Sequence, residues 1–283
     1  MGTNIRIRTL VENTARGQEV LAEHGLSFWI DTGAHRILMD TGQGLPDVLS
    51  SNAVKLGVDL RQTNAIVLSH GHYDHTGGLH TVLDQADSPV LYAHPAAFEP
   101  KYAPGRKKSV REIGILPIDR SAALTRTGQQ VWTVTPTEVL SGFTVTGEVP
   151  RITDYEDTGG RFFLDPALSE KDPVLDDQAL YFDSHKGTVV LLGCAHSGVV
   201  NTLQYIHRLT GERPIHAVIG GMHLGSASET RMRQTISALR KWNIGLLAPA
   251  HCTGLAATVA LWNAFPNACR PCECGSVFEF AAP

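Results

Sequence analysis

Residues 65–78 decide the fold, and their sequence is Ala65-Ile-Val-Leu-Ser-His70-Gly-His72-Tyr-Asp74-His75-Thr-Gly-Gly78. An apolar run typical of a strand buried on both faces leads directly into three histidines and one aspartate. Imidazole and carboxylate groups are the usual ligands of zinc and similar divalent ions. Burying four such groups is costly unless metal ions or hydrogen bonds satisfy them. The stretch therefore predicts a metal site at the end of a core strand rather than an exposed polar loop.

Three further histidines follow predicted strands in the same way. His196 comes after the strand Thr188–Gly193, His223 after Ile215–Ile219, and His251 after Ile244–Ala248. The carboxyl ends of strands are where α/β sheets collect their functional groups. Six or seven candidate ligands exceed the needs of one tetrahedral site, so we expect two divalent metal ions. Zinc is the expected metal, although histidine and carboxylate ligands suit zinc, manganese and iron alike.

Short apolar runs alternate with amphipathic helical patterns in both halves of the chain, which predicts a layered α/β fold. A helix is expected over Pro46–Leu56, ended by Gly57, and another after Ser197. Ser226-x-x-Glu229 resembles a capping box that begins a third helix. The other predicted strands are Ile5–Val11, Leu26–Ile30, Arg36–Asp40, Ala65–Ser69, Val90–Ala93 and Val277–Phe280.

The middle of the chain, from about 94 to 183, lacks a clear hydrophobic period and is rich in proline, glycine and charge. We interpret it as an insertion, either a solvated surface segment or a lid over the site. As a lid, it would supply Lys101, Arg106 and Arg111 to an anionic small-molecule substrate.

Composition narrows the class of protein. The chain has 283 residues, 42% hydrophobic and 18% charged, which fits one globular domain over residues 1–283. Its net charge is −4 and it has no basic block, so no nucleic-acid partner is expected. It lacks the roughly 18 continuous apolar residues that span a bilayer, and its first residues alternate like a strand rather than a signal peptide. We expect a cytoplasmic protein with no membrane partner, and a homo-oligomer is left open.

Five cysteines without a secretion signal argue against a disulfide framework. Three of them form the run Cys269-x-x-Cys272-x-Cys274. This spacing does not match a standard zinc finger, so packing thiols are favoured over a structural zinc or redox site.

The histidine motif resembles the signature of the metallo-β-lactamase superfamily, and Asp40-Thr-Gly resembles the early aspartate motif of that superfamily. The segments around His24, Asp176, His196, His223 and His251 are similar to the dihydropteroate-synthase-like branch. That branch is also named for 7,8-dihydropterin-6-methyl-4-(β-D-ribofuranosyl)-aminobenzene-5′-phosphate synthase. The resemblance extends from about residue 5 to residue 280.

The resemblance implies an αββα sandwich of two mixed sheets flanked by helices, with the metals at one edge. It also implies a first metal held by His70, His72 and His196, and a second held by Asp74, His75 and His251. Asp40 would orient a ligand histidine from behind.

One motif departs from the superfamily pattern. Many members bridge the metals with an aspartate in a Gly-Asp motif, whereas this chain has Gly193-Cys194-Ala-His196. His196 could take the place of the third histidine or of the bridge, and His223 could be a further ligand or face the substrate.

The expected function is that of a metal-dependent hydrolase. Two metals would activate a water as hydroxide for attack on a phosphoester, lactone or related ester. Asp74 is the expected group that orients this nucleophile, with His223 as a second catalytic candidate. The alternatives are a transferase-type condensation in pterin or methanopterin-like biosynthesis and a non-catalytic metal-binding sensor.

Overall fold

The computed structural model describes residues 4–17, 19–140 and 142–283, and two mixed sheets form the centre of the molecule. The first sheet has the strand order β15-β1-β2-β3-β4-β5-β8 and the second has β14-β13-β12-β11-β10-β9. The strands of the first sheet, in chain order, are β1 Asn4–Val11, β2 Ser27–Asp31, β3 Arg36–Met39, β4 Ala65–Val67, β5 Val90–Ala93, β8 Gln129–Trp132 and β15 Val277–Ala281. Those of the second are β9 Thr137–Leu140, β10 Phe143–Val145, β11 Ala179–Ser184, β12 Gly187–Leu192, β13 Ile215–Gly221 and β14 Leu246–Ala250.

Helices cover the outer face of each sheet. A small hairpin of β6 Tyr102–Pro104 and β7 Val110–Glu112 lies apart from both sheets. The helices are α1 Val48–Lys55, α2 Tyr73–Thr76, α3 Leu79–Leu83, α4 Pro117–Thr125, α5 Val199–Leu209, α6 Glu229–Arg240 and α7 Leu255–Ala264.

Three apolar clusters join these layers. The largest fills the space between the sheets. Phe28 and Ile30 of β2 belong to it, together with Phe182 and Ile219 of the second sheet. A second cluster packs α1, α3 and α4 on the outer face of the first sheet. A third packs α5, α6 and α7 on the second sheet. The result is the expected four-layer αββα arrangement.

The parallel strands place their carboxyl ends at one edge. β3, β4, β5 and β8 are parallel in the first sheet, and β12, β13 and β14 are parallel in the second. The loops after β3, β4, β12, β13 and β14 carry the candidate ligands, so their side chains meet between the two sheets at this edge.

Two predictions about elements need correction. The segment 94–183 is not one insertion, because β8 completes the first sheet and β9, β10 and β11 form half of the second. These strands are short and several are partly exposed, so they lack a strong hydrophobic period. The helix predicted to be capped by Ser226 is capped by Ser228, whose Oγ accepts a hydrogen bond from Arg231 N at 3.1 Å. Gly57 follows α1 with a φ of +67°, as predicted for a helix end.

None of the helices among the described residues is both long and apolar enough to cross a bilayer.

Candidate metal centre

Four residues at the site edge have left-handed backbone conformations, which residues other than glycine rarely adopt. Asp40, Ala195, His223 and His251 have φ values of 58°, 53°, 44° and 50°. Each follows the end of a central strand, where the chain must turn sharply to aim a side chain between the sheets. Such conformations concentrate at functional sites, because the surrounding structure must hold them in place.

Asp40 and Ser69 fix two imidazoles from behind. Ser69 Oγ donates its single hydrogen to Asp40 Oδ2 at 2.7 Å, so it accepts from His70 Nδ1 at 3.0 Å. His75 Nδ1 donates to Asp40 Oδ2 at 2.7 Å. In both rings Nδ1 therefore carries a proton, and Nε2 points inward. The structure thus places Asp40 where the resemblance implied an orienting group.

His196 and His251 are held in the same orientation by other acceptors. His196 Nδ1 donates to the Thr158 carbonyl at 2.8 Å. His251 Nδ1 donates to Asn13 Oδ1 at 2.8 Å, an oxygen that also accepts from Gly25 N. Both Nε2 atoms consequently point inward, and Nε2 of His196 is buried with no hydrogen-bond partner. Such outer hydrogen bonds are typical of histidines that bind metals.

The inward atoms lie close to one another. His70 Nε2 is 2.9 Å from His72 Nδ1, and His75 Nε2 is 3.3 Å from His251 Nε2. Two nitrogen ligands of one tetrahedral zinc are roughly 3.3 Å apart, given zinc–nitrogen bonds of about 2.0–2.1 Å. Lone pairs at such distances repel unless a cation or a proton lies between them, so the residues present fit divalent metal ions.

Three groups of side chains each have ligand atoms within 4.8 Å of one another, and two of the groups share Cys194. His251 belongs to two groups, since its Nε2 is also 3.4 Å from Asp74 Oδ2. The groups are His70, Cys194 and His196; His75, Cys194 and His251; and His24, Asp74 and His251.

Burial and neighbouring imidazoles determine the pKa values of the histidines. Burial lowers the pKa of His196 to about 4 and that of His223 to about 3. Burial, with the neighbouring imidazoles, also holds the pKa values of His70 and His72 well below the ordinary value. Burial would lower the pKa of His75 too, but the charge and hydrogen bond of Asp40 outweigh it and raise that pKa to about 9.

Asp74 remains a carboxylate despite its burial. Burial alone would raise its pKa, but hydrogen bonds from His24 and His251 hold the pKa well below the ordinary range. His24 Nε2 lies 3.1 Å from Asp74 Oδ2, and the His24 ring is half exposed at the mouth of the site. Asp74 is therefore a negatively charged candidate ligand, and the half-exposed His24 contacts it from the solvent side of the site.

A cavity of about 300 Å³ opens onto this cluster. Arg111 and Phe162 form part of its wall, and Arg111 lies next to the Tyr73 hydroxyl. Burial and the charge of Asp74 raise the pKa of Tyr73, and Arg111 offsets only part of this rise. His223 also faces the cavity, with Nδ1 buried and unpartnered, and packs against the ring of His196 at 4.4 Å between centroids. A side chain at Gly159 would collide with His223, so this approach needs glycine.

The prediction that Lys101 contacts the substrate is wrong. Its side chain is fully buried, and Nζ donates to Asp172 Oδ2 and Asp176 Oδ1, both at 2.9 Å. Asp176 Oδ2 in turn accepts from Gly71 N at 2.6 Å, between the two ligand candidates of the motif. Arg106 is exposed and absent from the cavity wall, so of the three predicted cations the structure brings only Arg111 to the site.

A larger cavity, of about 570 Å³, lies on the other side of His251. Its wall is mostly apolar and includes Leu255, Val259 and Trp262. Of the candidate ligands only His251 reaches it, so we assign the chemistry to the smaller cavity.

The cysteine run lies in the core. Cys269, Cys272 and Cys274 are buried free thiols, and none of them belongs to a three-ligand group among the described residues. Burial raises the pKa of Cys269 to about 11 and that of Cys274 to about 12. Cys274 Sγ accepts a hydrogen bond from Glu12 N at 3.0 Å, which favours the packing role.

Sequence reasoning missed three residues at the site. His24 and Phe162 lie in irregular loops, where no strand end draws attention to them. Cys194 was noted only as a departure from the Gly-Asp motif, although its position at a strand end could have identified it.

A sequence profile described as the Metallo-beta-lactamase superfamily matches residues 21–206. The chain belongs to this superfamily. The expected superfamily and sandwich fold are thereby confirmed.

Relatives support both the superfamily and the branch. A 7,8-dihydropterin-6-methyl-4-(beta-D-ribofuranosyl)-aminobenzene-5'-phosphate synthase of Methanocaldococcus jannaschii is 29% identical over 98% of this chain and 97% of its own length. An uncharacterised protein of that organism is 34% identical over 90% and 93%. The crystal structure of a metal-dependent hydrolase of the beta-lactamase superfamily superimposes with a TM-score of 0.83 at 27% identity, covering 98% of this chain and 99% of that one.

Proposed function

We propose that the chain is a metal-dependent hydrolase with a binuclear centre, acting on a phosphoester, lactone or related ester of small size. One observation carries the proposal, namely that the Nε2 atoms of His70, His75, His196 and His251 converge while each Nδ1 is held by an oxygen from behind. His72 Nδ1 and Asp74 Oδ2 complete the set from the same loop. Zinc is the proposed metal, with manganese or iron as alternatives.

When bound, such ions act as Lewis acids and lower the pKa of a coordinated water. The side chains of the chain then divide the remaining tasks. Asp74, charged and 3.1 Å from His24, can hold a water-derived nucleophile in place through its carboxylate oxygens. The His223 ring lines the cavity and is neutral because burial lowers its pKa to about 3, so it can form a hydrogen bond with the leaving oxygen without adding charge.

Arg111 and Phe162 supply the binding surface. The Arg111 guanidinium offers fixed donors to a phosphate or carboxylate, and the Phe162 ring offers an apolar face beside His72 and His196. A cavity of about 300 Å³ fits a small molecule and excludes a folded partner. We therefore propose an anionic small-molecule substrate and no nucleic-acid partner.

A second candidate is a condensation that transfers a pterin-methyl group to an aminobenzene nitrogen. It is favoured by the Methanocaldococcus jannaschii synthase, which matches this chain along nearly its whole length. Arg111 and the metal ions held by the same ligands would then bind the diphosphate leaving group. A cytoplasmic location and the oligomeric state stay predictions.

The test is steady-state turnover on phosphomonoester, phosphodiester, lactone and thioester substrates, with zinc, manganese or iron added separately. A dihydropterin diphosphate is included with and without an aminobenzene acceptor. Metal-dependent turnover that is lost in His72→Ala and kept in His80→Ala supports the hydrolase. His80 is the matched control, because it pairs with Asp119 away from the site. Product formation that requires the acceptor would favour the condensation, and no metal-dependent turnover on any ester would overturn the hydrolase.

A further inference from the structure

Cys194 lies at the centre of the candidate metal site rather than at its rim. The residue is buried just beyond the end of β12, and its Sγ is 3.2 Å from His75 Nε2. Its sulfur belongs both to the group with His70 and His196 and to the group with His75 and His251. Cys194 is the one residue that these two groups have in common, so its sulfur is within reach of both metal positions.

Close backbone packing fixes that position. A side chain at Gly193 would collide with Ser69 Oγ, the atom that orients His70. The Gly193 carbonyl accepts from Gly221 N at 3.1 Å, which ties the end of β12 to the end of β13. The strand end therefore presses against the machinery that orients the ligand histidines, and the Cys194 side chain has little freedom to turn away.

A neutral thiol would leave the surrounding atoms unsatisfied. It has one hydrogen, and the ring nitrogen within its reach is His75 Nε2 at 3.2 Å. His196 Nε2 would stay buried without a partner, and the lone pair of His70 Nε2 would still face His72 Nδ1. If the sulfur binds one metal ion on each side, each of these ring nitrogens has a metal ion as its partner.

We propose that the Cys194 thiolate is a ligand shared by the two metal ions. This rests on the proposed binuclear centre. On binding, the S–H bond breaks, the proton leaves to solvent and a sulfur lone pair forms each metal bond, with no change of oxidation state. The geometry thus gives the bridging position, which the sequence left open for His196, to Cys194. A soft thiolate favours zinc or iron(II) over manganese.

The test uses the cobalt(II)-loaded full chain, because a cobalt–thiolate bond gives a ligand-to-metal charge-transfer band in the near ultraviolet. Wild type is expected to bind two cobalt ions and to show the band. Cys252→Ser is the matched control, since its thiol also lines the cavity and lies 3.6 Å from the Cys194 carbonyl. The band should persist in Cys252→Ser and disappear in Cys194→Ser.

Metal affinity gives a second readout. Cys194→Ser should weaken cobalt binding by more than about 100-fold, beyond the 10–100-fold that loss of an outer partner costs. Cys194→Asp supplies a bridging carboxylate and should bind two cobalt ions without the band. This variant provides the test if Cys194→Ser does not fold.

Two cobalt ions bound by wild type without the band would overturn the cysteine proposal and leave the binuclear hydrolase standing. A band lost in Cys252→Ser and kept in Cys194→Ser would overturn it in favour of Cys252. Failure of wild type to bind cobalt, zinc or iron would overturn both proposals.

Discussion

At the scale of the residue, the site depends on which nitrogen of each imidazole holds the proton. Asp40 determines this for His75 directly and for His70 through Ser69. The carbonyl of Thr158 and the side chain of Asn13 do the same for the rings supplied by the second sheet. The Nε2 atom of each ring is available as a ligand because an oxygen behind the ring accepts a hydrogen bond from Nδ1–H and so fixes the proton on Nδ1.

Asp40→Asn should therefore weaken metal binding without removing a ligand. Asp40 Oδ2 accepts from both His75 Nδ1 and Ser69 Oγ, while Oδ1 accepts from Ser69 N. An amide has one acceptor oxygen and cannot satisfy all three donors, so the rings lose their fixed orientation. We expect metal affinity to fall by about 10–100-fold, measured by competition with a chromophoric chelator. Asp119→Asn, at another buried aspartate that pairs with a histidine, should leave the affinity unchanged. An unchanged affinity in Asp40→Asn would contradict this role.

Arg111→Ala should impair substrate binding more than metal binding. A hydrogen bond to a charged group is worth about 1.5–3 kcal/mol, so KM for an anionic substrate should rise roughly 10- to 100-fold. Metal content should not change, because Arg111 is outside every ligand group. Arg106→Ala is the control on the same segment and should behave like wild type. Equal KM values for Arg111→Ala and Arg106→Ala would show that Arg111 does not bind the substrate.

At the scale of the element, strongly apolar strands were predictable and weak ones were not. The sequence identifies β4, β12, β13 and β14 because each is a run of large aliphatic residues, and the ligands were expected at their ends. β8 and β9 are short and partly exposed, so their residues show no hydrophobic period from which a strand could be predicted.

Lys101 shows how tertiary structure overrides an expectation based on charge. It lies in a cationic stretch that was predicted from the sequence to bind the substrate, yet its ammonium group is buried between Asp172 and Asp176. Burial lowers the pKa of Lys101, but these two carboxylates outweigh it and hold that pKa above the ordinary value. Through the hydrogen bond from Gly71 N to Asp176, the buried group supports the loop that presents His70 and His72.

Lys101→Met should destabilise the fold and loosen this loop. Removing one partner of a buried ion pair leaves uncompensated charge, which costs about 3–5 kcal/mol. We expect a lower urea midpoint and weaker metal binding in the same variant. Lys55→Met, at an exposed position of α1, is the control and should unfold like wild type. A midpoint equal to that of the control would show that the buried pair is not structural.

At the scale of the whole molecule, the site joins the two sheets. His70, His72 and His75 come from the first sheet, whereas Cys194, His196 and His251 come from the second. Metal ions bound there, as proposed, would tie together residues as far apart in sequence as His70 and His251. Ligands that bind only the folded state stabilise it by mass action, so metal binding and global stability should rise together.

The metal-free chain should lose stability in acid. His196 and His223 have folded-state pKa values of about 4 and about 3, whereas the unfolded value is about 6.5. At pH values between the folded-state and unfolded-state pKa, the unfolded chain binds protons that the native state does not bind. The free energy of unfolding therefore falls as pH falls below about 6.5. His75, with a pKa of about 9, acts in the opposite sense, and its contribution is complete below about 6.5 and lost as pH rises through about 9.

We therefore expect the urea midpoint of the metal-free protein to be lower at pH 5 than at pH 7. One pKa unit on one group corresponds to about 1.4 kcal/mol, so the difference should be readily measured. His223→Gln removes one of the contributing groups and should reduce the difference. Equal midpoints at the two pH values would mean that the buried histidines do not titrate as described.

The binuclear centre itself is tested most directly by metal content per chain, measured by plasma mass spectrometry on protein purified without chelator. The converging imidazoles, Asp74 and Cys194 predict close to two divalent ions per chain, and fewer in His72→Ala than in His80→Ala. One ion per chain, or none after zinc, manganese or iron has been added, would contradict the binuclear centre.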